Sequence, residues 1–332
     1  MVNSKMLKIK PLNAAEELAE KLRASDDFEK IEVASPGFIN FWTRKTLWHK
    51  FLSLRLKTNE LVPTNIGSGK NVNVEYVSAN PTGPLHIGHC RGAVYGDVLA
   101  NLLEKTGHKV TREYYVNDAG IQISQLVSSV IIRINELLVK NISENYPENF
   151  YPGEYLVDVA RHILNKHGND ILDNKEHLDI IRQETIDFLL NRIKSDLSSL
   201  SINQDLFVSE QSLIVEGKID DAINRLKDMD MIYRGTLEKP KGKEIEDWEP
   251  REQLLFRSTK FGDEIDRPLQ KSTGEWTYFA NDIAYHFDKI QRGSNHLIDI
   301  LGADHGGYVK RMNASVKACL LYTSDAADDD HC

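Results

Sequence analysis

Two histidines three residues apart, His86 and His89, form the first arrangement in this sequence that is suited to chemistry. A β-prone run precedes them and a helical pattern follows, so both should lie on the first turn of a helix with their imidazoles pointing the same way. The amino end of a helix favours phosphate groups. Gly88 has no side chain, which would let a flat nucleotide ring approach the backbone. Such a site would be suited to holding ATP and to donating hydrogen bonds as charge develops on the phosphate.

The same two histidines could instead be helix caps or surface groups, and the tetrapeptide alone does not separate these interpretations. The breaker-rich loop Pro81-Thr-Gly-Pro84 and the β-prone run before it favour nucleotide binding. A zinc site is not indicated, because no carboxylate or further histidine follows at ligand spacing. We therefore predict no metal-binding residues in the protein itself.

A second candidate group comprises Tyr278, Asp282 and His286, which are four residues apart. If this segment is helical, all three side chains share one face. The alternative is a surface Tyr/Asp pair without a ligand, and the spacing does not exclude it.

The elements that position the histidines are a strand, a loop and a helix. Val72–Val77 is β-prone, Ser78–Pro84 contains residues that break regular structure, and the helical pattern that follows ends at Gly107. His86 and His89 are thus placed at the carboxyl end of a strand, where ligands bind in open α/β sheets.

Further strands and helices extend this pattern. His108–Val116 is a second predicted strand, and Asn117 or Asp118 could cap the long helix after it. Residues 141 to about 230 are mostly helical and should form an insertion in the sheet. His296–Leu301 reads as a buried strand. Strand–helix alternation at these lengths predicts an α/β fold with a parallel sheet.

Domain boundaries follow from changes in composition. Residues 1–62 should form a small α+β domain, in which Lys30–Phe41 gives two strands around a Pro-Gly turn. Residues 71–318 should form the α/β domain after a short linker. Residues 319–332 lose all periodicity, so we expect a non-native tail there.

Composition adds broad limits. The chain has 332 residues, 41% hydrophobic residues, a net charge of −9 and three cysteines without metal-type pairing. The charge argues against indiscriminate binding to nucleic acid or membranes, although a local basic patch remains compatible with it. We expect no signal peptide and no membrane-spanning segment, since no run of the sequence has the required apolar character. We expect a cytoplasmic protein in a reducing compartment, with no membrane partner.

Five ordered segments closely resemble those of class I arginyl-tRNA synthetases. The segments begin with Val74-Glu-Tyr-Val-Ser-Ala-Asn-Pro-Thr-Gly-Pro-Leu-His-Ile-Gly-His-Cys-Arg-Gly-Ala and continue with Arg112-Glu-Tyr-Tyr-Val-Asn-Asp-Ala-Gly, Arg257-Ser-Thr-Lys-Phe-Gly-Asp, Thr277-Tyr-Phe-Ala-Asn-Asp-Ile-Ala-Tyr-His and Gly302-Ala-Asp-His. The likeness extends from about Pro11 to about Lys317. It implies a Rossmann-like catalytic domain of class I synthetase type with a helical insertion, preceded by a tRNA-contacting N-terminal domain.

The resemblance also implies an activity. Arginine's carboxylate would attack the α-phosphate of Mg-ATP, pyrophosphate would leave, and the arginyl group would pass to the terminal adenosine of tRNA(Arg). The implied substrates are L-arginine, ATP with Mg²⁺, which has no dedicated protein site, and tRNA(Arg). The family likeness suggests a monomer.

Individual positions match the family's binding residues. By this likeness the ATP-binding residues are His86, Gly88, His89 and Asp304, with His86 and His89 as the catalytic pair. Those that bind arginine are Glu75, Ser78, Asn80, Tyr278, Asp282 and His305. A guanidinium is always charged and presents a planar fork of donors, so carboxylates and oriented acceptors suit it. His305 matches a position near arginine or ATP, although Gly306 stands where the family often has another histidine.

The resemblance also predicts a chain truncated at both ends. The family usually has several dozen residues before the position of Met1. Beyond Lys317 it continues to a second ATP-binding loop of the Lys-Met-Ser-Lys type and an anticodon-binding domain. We therefore expect this chain to be weakly active or inactive. Two alternatives remain: a nucleotidylyltransferase with another acceptor, and a non-catalytic fragment that binds ATP or tRNA.

Overall fold

The structure is a computed structural model that describes residues 9–58, 65–139, 145–174, 176–237, 251–302 and 308–324. The chain divides into two units, Met1–Thr64 and Asn65–Cys332. This division falls within the linker that the sequence predicts between residues 62 and 71.

The first unit combines helices with a β-hairpin, as predicted. Its elements are α1 (Pro11–Leu22), β1 (Phe28–Ala34), β2 (Phe38–Thr43) and α2 (Lys45–Thr58). The two strands pair antiparallel around the Pro-Gly turn. Ala15 and Ala19 lie one helical turn apart and are both buried. They therefore share the face of α1 that packs inward, and their small side chains allow close packing there.

The second unit alternates strands and helices. Its elements in chain order are β3 (Asn71–Glu75), α3 (Ile87–Lys105), β4 (Lys109–Val116), α4 (Ile121–Val139), α5 (Tyr155–His167), α6 (His177–Ser199), β5 (Leu206–Ser209), α7 (Glu210–Val215), α8 (Lys218–Asp228), β6 (Ile232–Gly235), β7 (Gln253–Phe256), a 3₁₀ turn (Ser258–Phe261), β8 (Arg267–Pro268), α9 (Tyr278–Gln291), β9 (His296–Asp299) and α10 (Val309–Ser324).

Four strands form the main sheet in the order β5-β4-β3-β9, and every pair is parallel. Val72, Asn73 and Val74 are buried in succession along β3, which is typical of a parallel strand that is covered on both faces. The predicted Rossmann-like α/β class is confirmed. A separate antiparallel sheet, β6-β7-β8, was not predicted from the sequence.

Helix α3 packs closely beside β3 because one of its residues has no side chain. A Cβ atom built on Gly96 would lie 2.3 Å from Cγ of Tyr76, far inside van der Waals contact. Tyr76 is itself 1% exposed. Gly96 therefore fixes the distance between the helix that begins with the two histidines and the end of the strand.

Three sequence-based expectations differ from the structure. The described part of residues 141–230 is mostly helical, as expected, but the range includes β5, which pairs with β4 in the main sheet, so it is not wholly an insertion in that sheet. The strand expected to be buried, β9, borders only β3 among the described strands, and its side chains are half-buried or exposed. Helix α10 continues through Ser324 and buries Cys319, a residue assigned to the tail.

Asp118, one of the two residues expected to cap α4, makes its side-chain contacts elsewhere. The carboxylate of Asp118 accepts hydrogen bonds from Ser209 Oγ at 2.6 Å and from the backbone N–H of Gln211 at 2.9 Å. These groups lie at the start of α7. The tertiary fold therefore uses Asp118 to join the end of β4 to the end of β5.

Candidate functional site

His86 and His89 cap helix α3 and each other. Nδ1 of His86 accepts from the Gly88 N–H at 3.1 Å, and Nδ1 of His89 accepts from the His86 N–H at 3.3 Å. Their rings stack with centroids 3.7 Å apart. The predicted orientation on the first helical turn is confirmed, and the capping interpretation also holds.

This cap determines which ring nitrogen can serve a ligand. A neutral imidazole whose Nδ1 accepts a hydrogen bond carries its proton on Nε2. Burial, and secondarily the neighbouring His86, lower the pKa of His89, which favours its neutral form. The two stacked rings can therefore present Nε2–H donors to an anion beside the amino end of the helix. Gly88 is exposed between them, as a nucleotide approaching the backbone would require.

The loop between β3 and α3 is held in a strained conformation. Val77 has φ 72° and Ser78 has φ 39°, a region that costs a non-glycine residue roughly 1–3 kcal/mol. Ser78 Oγ donates to Glu75 Oε1 at 2.8 Å and accepts from the Tyr115 N–H at 3.0 Å. These bonds help hold the turn and place the Ser78 hydroxyl against the Glu75 carboxylate.

Asn80 lies farther along the same loop. Its Nδ2 donates to Oε1 of Gln122 on helix α4 at 2.9 Å, and both side chains are exposed. The carbonyl of Ala79 beside it accepts from the Tyr114 hydroxyl at 2.6 Å. Asn80 therefore belongs to the polar rim of the strand ends, with its amide oxygen directed by the bond to Gln122.

Glu75 is part of a buried ionic network that the sequence does not predict. Nζ of Lys289 contacts Glu75 Oε2 at 2.5 Å and Asp299 Oδ1 at 2.9 Å. Asp299 Oδ2 lies 2.7 Å from Nε2 of His286, whose Nδ1 donates to the Asp282 carbonyl at 2.8 Å. Burial and Lys289 lower the pKa of His286, but the hydrogen bond to Asp299 raises it overall.

Asp282 and Glu210 are two further carboxyl groups in this network, and the surroundings of both disfavour the charged form. Burial first, and then the carboxylates of Glu210, Glu75 and Asp299, raise the pKa of Asp282 from 3.8 to about 7, with His286 opposing the shift. Burial likewise raises the pKa of Glu210, and Asp118 adds to the effect. A neighbouring cation would lower the pKa of both carboxyl groups and favour their ionised forms.

Glu210 has an unsatisfied acceptor. Its Oε1 accepts from Asn281 Nδ2 at 2.7 Å, whereas Oε2 is buried without a hydrogen-bond partner among the described groups. The residue is 4% exposed. An orphaned buried carboxylate oxygen is costly, so this atom marks a position where a donor from a ligand would fit.

Tyr278 and Asp282 lie on helix α9, so the predicted shared helical face is confirmed. Tyr278 is the first residue of the helix and is 52% exposed. Its hydroxyl lies near Gly120, 3.8 Å from the position that a Cβ atom on that glycine would occupy. Tyr115 is also influenced by the negative groups: burial, followed by Glu210 and Asp282, raises the pKa of its phenol. The tertiary structure thus adds Tyr115, Glu210 and Lys289 to the residues identified from the sequence.

Local sequence gives little signal for these additional residues. Glu210 follows the short strand β5, and that position could have indicated a site only if β5 had been recognised. Lys289 looks like an ordinary helix surface residue in the sequence. Asp304 and His305 lie outside the described residues. No group of three His, Cys, Asp or Glu side chains that could hold a metal ion occurs within the described ranges.

No described helix is both long enough and apolar enough to cross a membrane. This finding concerns only the residues that the structure describes.

Comparison with protein families gives two matches. The family model "tRNA synthetases class I (R), catalytic domain" matches residues 52–331, and "Arginyl tRNA synthetase N terminal domain" matches residues 1–42. The first match extends beyond Lys317, where the resemblance noted from the motifs ends.

Curated relatives named arginine–tRNA ligase match most of this chain. The protein from Wolbachia pipientis wMel is 51% identical over 320 residues, which cover 96% of this chain and 56% of the relative. The protein from Jannaschia sp. strain CCS1 is 49% identical, with the same coverage of this chain and of the relative. The chain thus spans little more than half the length of these relatives.

Solved structures show the same fold. A Campylobacter jejuni arginyl-tRNA synthetase structure superposes with a TM-score of 0.70 and 36% identity, covering 83% of this chain and 57% of that one. Thermus thermophilus arginyl-tRNA synthetase gives a TM-score of 0.56 at 21% identity, covering 86% of this chain and 46% of that one. The latter similarity concerns the fold alone.

Proposed function

The chain belongs to the class I arginyl-tRNA synthetase family, and we propose that it binds L-arginine and ATP and contributes to the ligation of arginine to tRNA(Arg). The observation that carries the arginine assignment is the orphaned Oε2 of Glu210 near the ionisable carboxyl of Asp282. A guanidinium brings a permanent charge and several donors in one plane. It would satisfy the orphaned oxygen and favour ionisation of both carboxyl groups.

The proposed roles extend to the other strand ends. Ser78 and Asn80 would bind the α-amino end of arginine, and Tyr278 would contact its side chain. For His305, which lies outside the described residues, a position near arginine or ATP remains a proposal from the family resemblance. These assignments are supported by the positions of Ser78 and Asn80 on the loop after β3 and of Tyr278 on α9.

ATP would bind beside the two stacked histidines, with the adenine ring over Gly88. Arginine's carboxylate oxygen would form a bond to the α-phosphorus, and the bond from that phosphorus to the bridging oxygen would break, releasing pyrophosphate. Nε2–H of His86 and His89 would donate to phosphate oxygens as negative charge increases. Mg²⁺ would arrive with ATP, and Asp304 would belong to this nucleotide site.

In the second step the arginyl group would pass to the terminal adenosine of tRNA(Arg), with release of AMP. The N-terminal unit would contact the tRNA, as its match to the family's N-terminal domain supports. We place this reaction in the cytoplasm and propose that the protein acts as a monomer.

Ligand selectivity tests the arginine pocket. Isothermal titration calorimetry should detect arginine binding and much weaker binding of citrulline, a neutral analogue of nearly the same shape, and of lysine. Rejection of an analogue that leaves buried acceptors unpaired can reach several orders of magnitude. Equal affinity for arginine and citrulline would contradict the proposed role of the carboxylates.

ATP–pyrophosphate exchange tests the chemical step. We expect any exchange to require arginine and to increase when tRNA(Arg) is present. Exchange that proceeds without arginine would instead support a nucleotidylyltransferase with another acceptor. Arginine and ATP binding without exchange under either condition would support a non-catalytic binding fragment.

A further inference from the structure

Lys289 is a fully buried cation at the carboxyl ends of two strands of the main sheet. Its side chain is 0% exposed, and its Nζ lies 4.4 Å from the Tyr285 ring centroid. Burial alone would lower its pKa, but Glu75 and Asp299 raise it above the usual value. Lys289 therefore remains an ammonium group inside the protein.

This ammonium group connects the carboxyl ends of two neighbouring strands. Glu75 ends β3 and Asp299 ends β9, and Lys289 reaches both from helix α9. The strands are parallel partners with Glu75 directly opposite Asp299. Two neighbouring carboxylates repel each other, and the ammonium group between them offsets that repulsion.

The same contacts leave Glu75 little rotational freedom. Lys289 holds Oε2, while the Ser78 hydroxyl donates to Oε1, and Ser78 in turn accepts from the Tyr115 backbone. Asp299 is fixed on its other oxygen by His286. One buried cation thus stabilises the orientation of side chains on three elements around the strand ends.

We propose that Lys289 is a positioning residue for arginine binding: its ammonium group fixes the carboxylate of Glu75, and thereby Ser78, in the orientation that receives the substrate. This inference rests on the proposed function. Lys289 is fully buried and engaged by two carboxylates, so it acts through them rather than by contacting arginine.

Fold stability alone is a poor explanation for this arrangement. The cost of removing charges from water offsets much of the gain from a buried ion pair. Replacing all members of such a pair together by apolar residues is often neutral or stabilising. An apolar side chain of similar length would fill the space beside Tyr285. It could not donate the hydrogen bonds that hold Glu75 and Asp299 in place.

Two variants separate positioning from folding. Lys289→Met keeps most of the side-chain volume and removes the charge, which leaves two carboxylates uncompensated. Lys289→Met combined with Asp299→Asn also removes one carboxylate, so the net charge of the three-residue cluster returns to that of the wild type while Glu75 still lacks its cation. Circular dichroism and thermal unfolding monitor the fold of both.

Isothermal titration calorimetry of arginine and of ATP on the same samples provides the decisive readout. We expect arginine affinity to fall roughly tenfold or more in both variants, because a charged hydrogen bond that orients an acceptor is lost. ATP affinity should change less than twofold, because the histidine pair proposed to bind ATP lies on helix α3, whereas the substituted residues lie on α9 and β9. General loosening of the fold would weaken both ligands together.

The possible outcomes are distinct. Wild-type arginine affinity in either folded variant, equal loss of arginine and ATP affinity, or a double variant that fails to fold would each overturn the role of Lys289. Failure of the wild-type chain to bind arginine would overturn the proposed function itself, and with it this inference.

Discussion

The carboxyl group of Asp282 links the stability of the fold to arginine binding, and the substitution Asp282→Asn should affect the two in opposite directions. Its pKa is about 7 in the folded chain, against an ordinary value of 3.8, chiefly because of burial. A carboxyl that ionises more readily in the unfolded chain lowers stability as the pH rises from about 4 through 7. Asparagine does not ionise and avoids this cost.

The size of the effect follows from the shift. Three pKa units correspond to roughly 4 kcal/mol when the carboxyl is fully ionised in the folded chain. The side chain is only half-buried by surface area, and water moderates the cost of its charge. We therefore expect Asp282→Asn to increase the free energy of unfolding by about 2 kcal/mol at pH 8, and by much less at pH 4.

Urea unfolding at the two pH values measures this difference. Asp158→Asn is a matched control because Asp158 is 56% exposed on helix α5 and pairs only loosely with Arg161, at 3.4 Å. The control should change stability by less than about 0.5 kcal/mol at either pH. A loss of stability at pH 8 in Asp282→Asn would refute the reasoning about its buried charge.

Arginine binding should respond in the opposite sense. Wild-type affinity should increase between pH 6 and 8, by at most about tenfold per unit below the pKa, because the bound cation requires ionised Asp282. Asp282→Asn should bind arginine at least about tenfold more weakly at pH 8 and lose this pH dependence. Calorimetry at several pH values tests both points, and wild-type affinity in the variant would contradict the pocket assignment.

Two further substitutions test packing and surface charge. Gly96→Ala places a Cβ 2.3 Å from the Tyr76 ring, so urea unfolding should show a loss of about 2 kcal/mol. Glu184 contacts Lys166 at 2.7 Å and His167 at 2.9 Å. These contacts, chiefly the hydrogen bond from Lys166, lower the pKa of Glu184 to about 2. Glu184→Gln should cost about 1 kcal/mol at pH 7, measured by the same method. This difference should disappear as the pH falls from about 4.5 to 2, where the carboxylate takes up its proton in both states.

Each of these variants has a control on its own helix. Gly92→Ala meets no heavy atom within 4 Å, so it should stabilise helix α3 by up to about 1 kcal/mol. Equal effects of alanine at positions 92 and 96 would contradict the packing argument. Asp196→Asn removes an exposed carboxyl from helix α6. A pH-independent cost of Glu184→Gln, or the same cost at Asp196, would contradict the ion-pair argument.

The sequence predicts local structure well where the pattern is strong. The β-prone run, the breaker-rich loop and the helical repeat place His86 at the start of α3, as the structure confirms. Weak or very short elements are missed, because β5 has four residues and β8 two. Such strands are stabilised by pairing with partners distant in the chain, and that pairing leaves little periodicity.

Site residues divide in the same way. The sequence by itself identified the histidine pair, the loop after β3 and the shared face of Tyr278 and Asp282, since each depends on neighbours within about one helical turn. Only the tertiary structure brought Glu210 beside Asn281, and Lys289 between Glu75 and Asp299. Burial and charge proximity arise when β3, β5, β9 and α9 meet. They determine which carboxylates are compensated and which remain available to a cation.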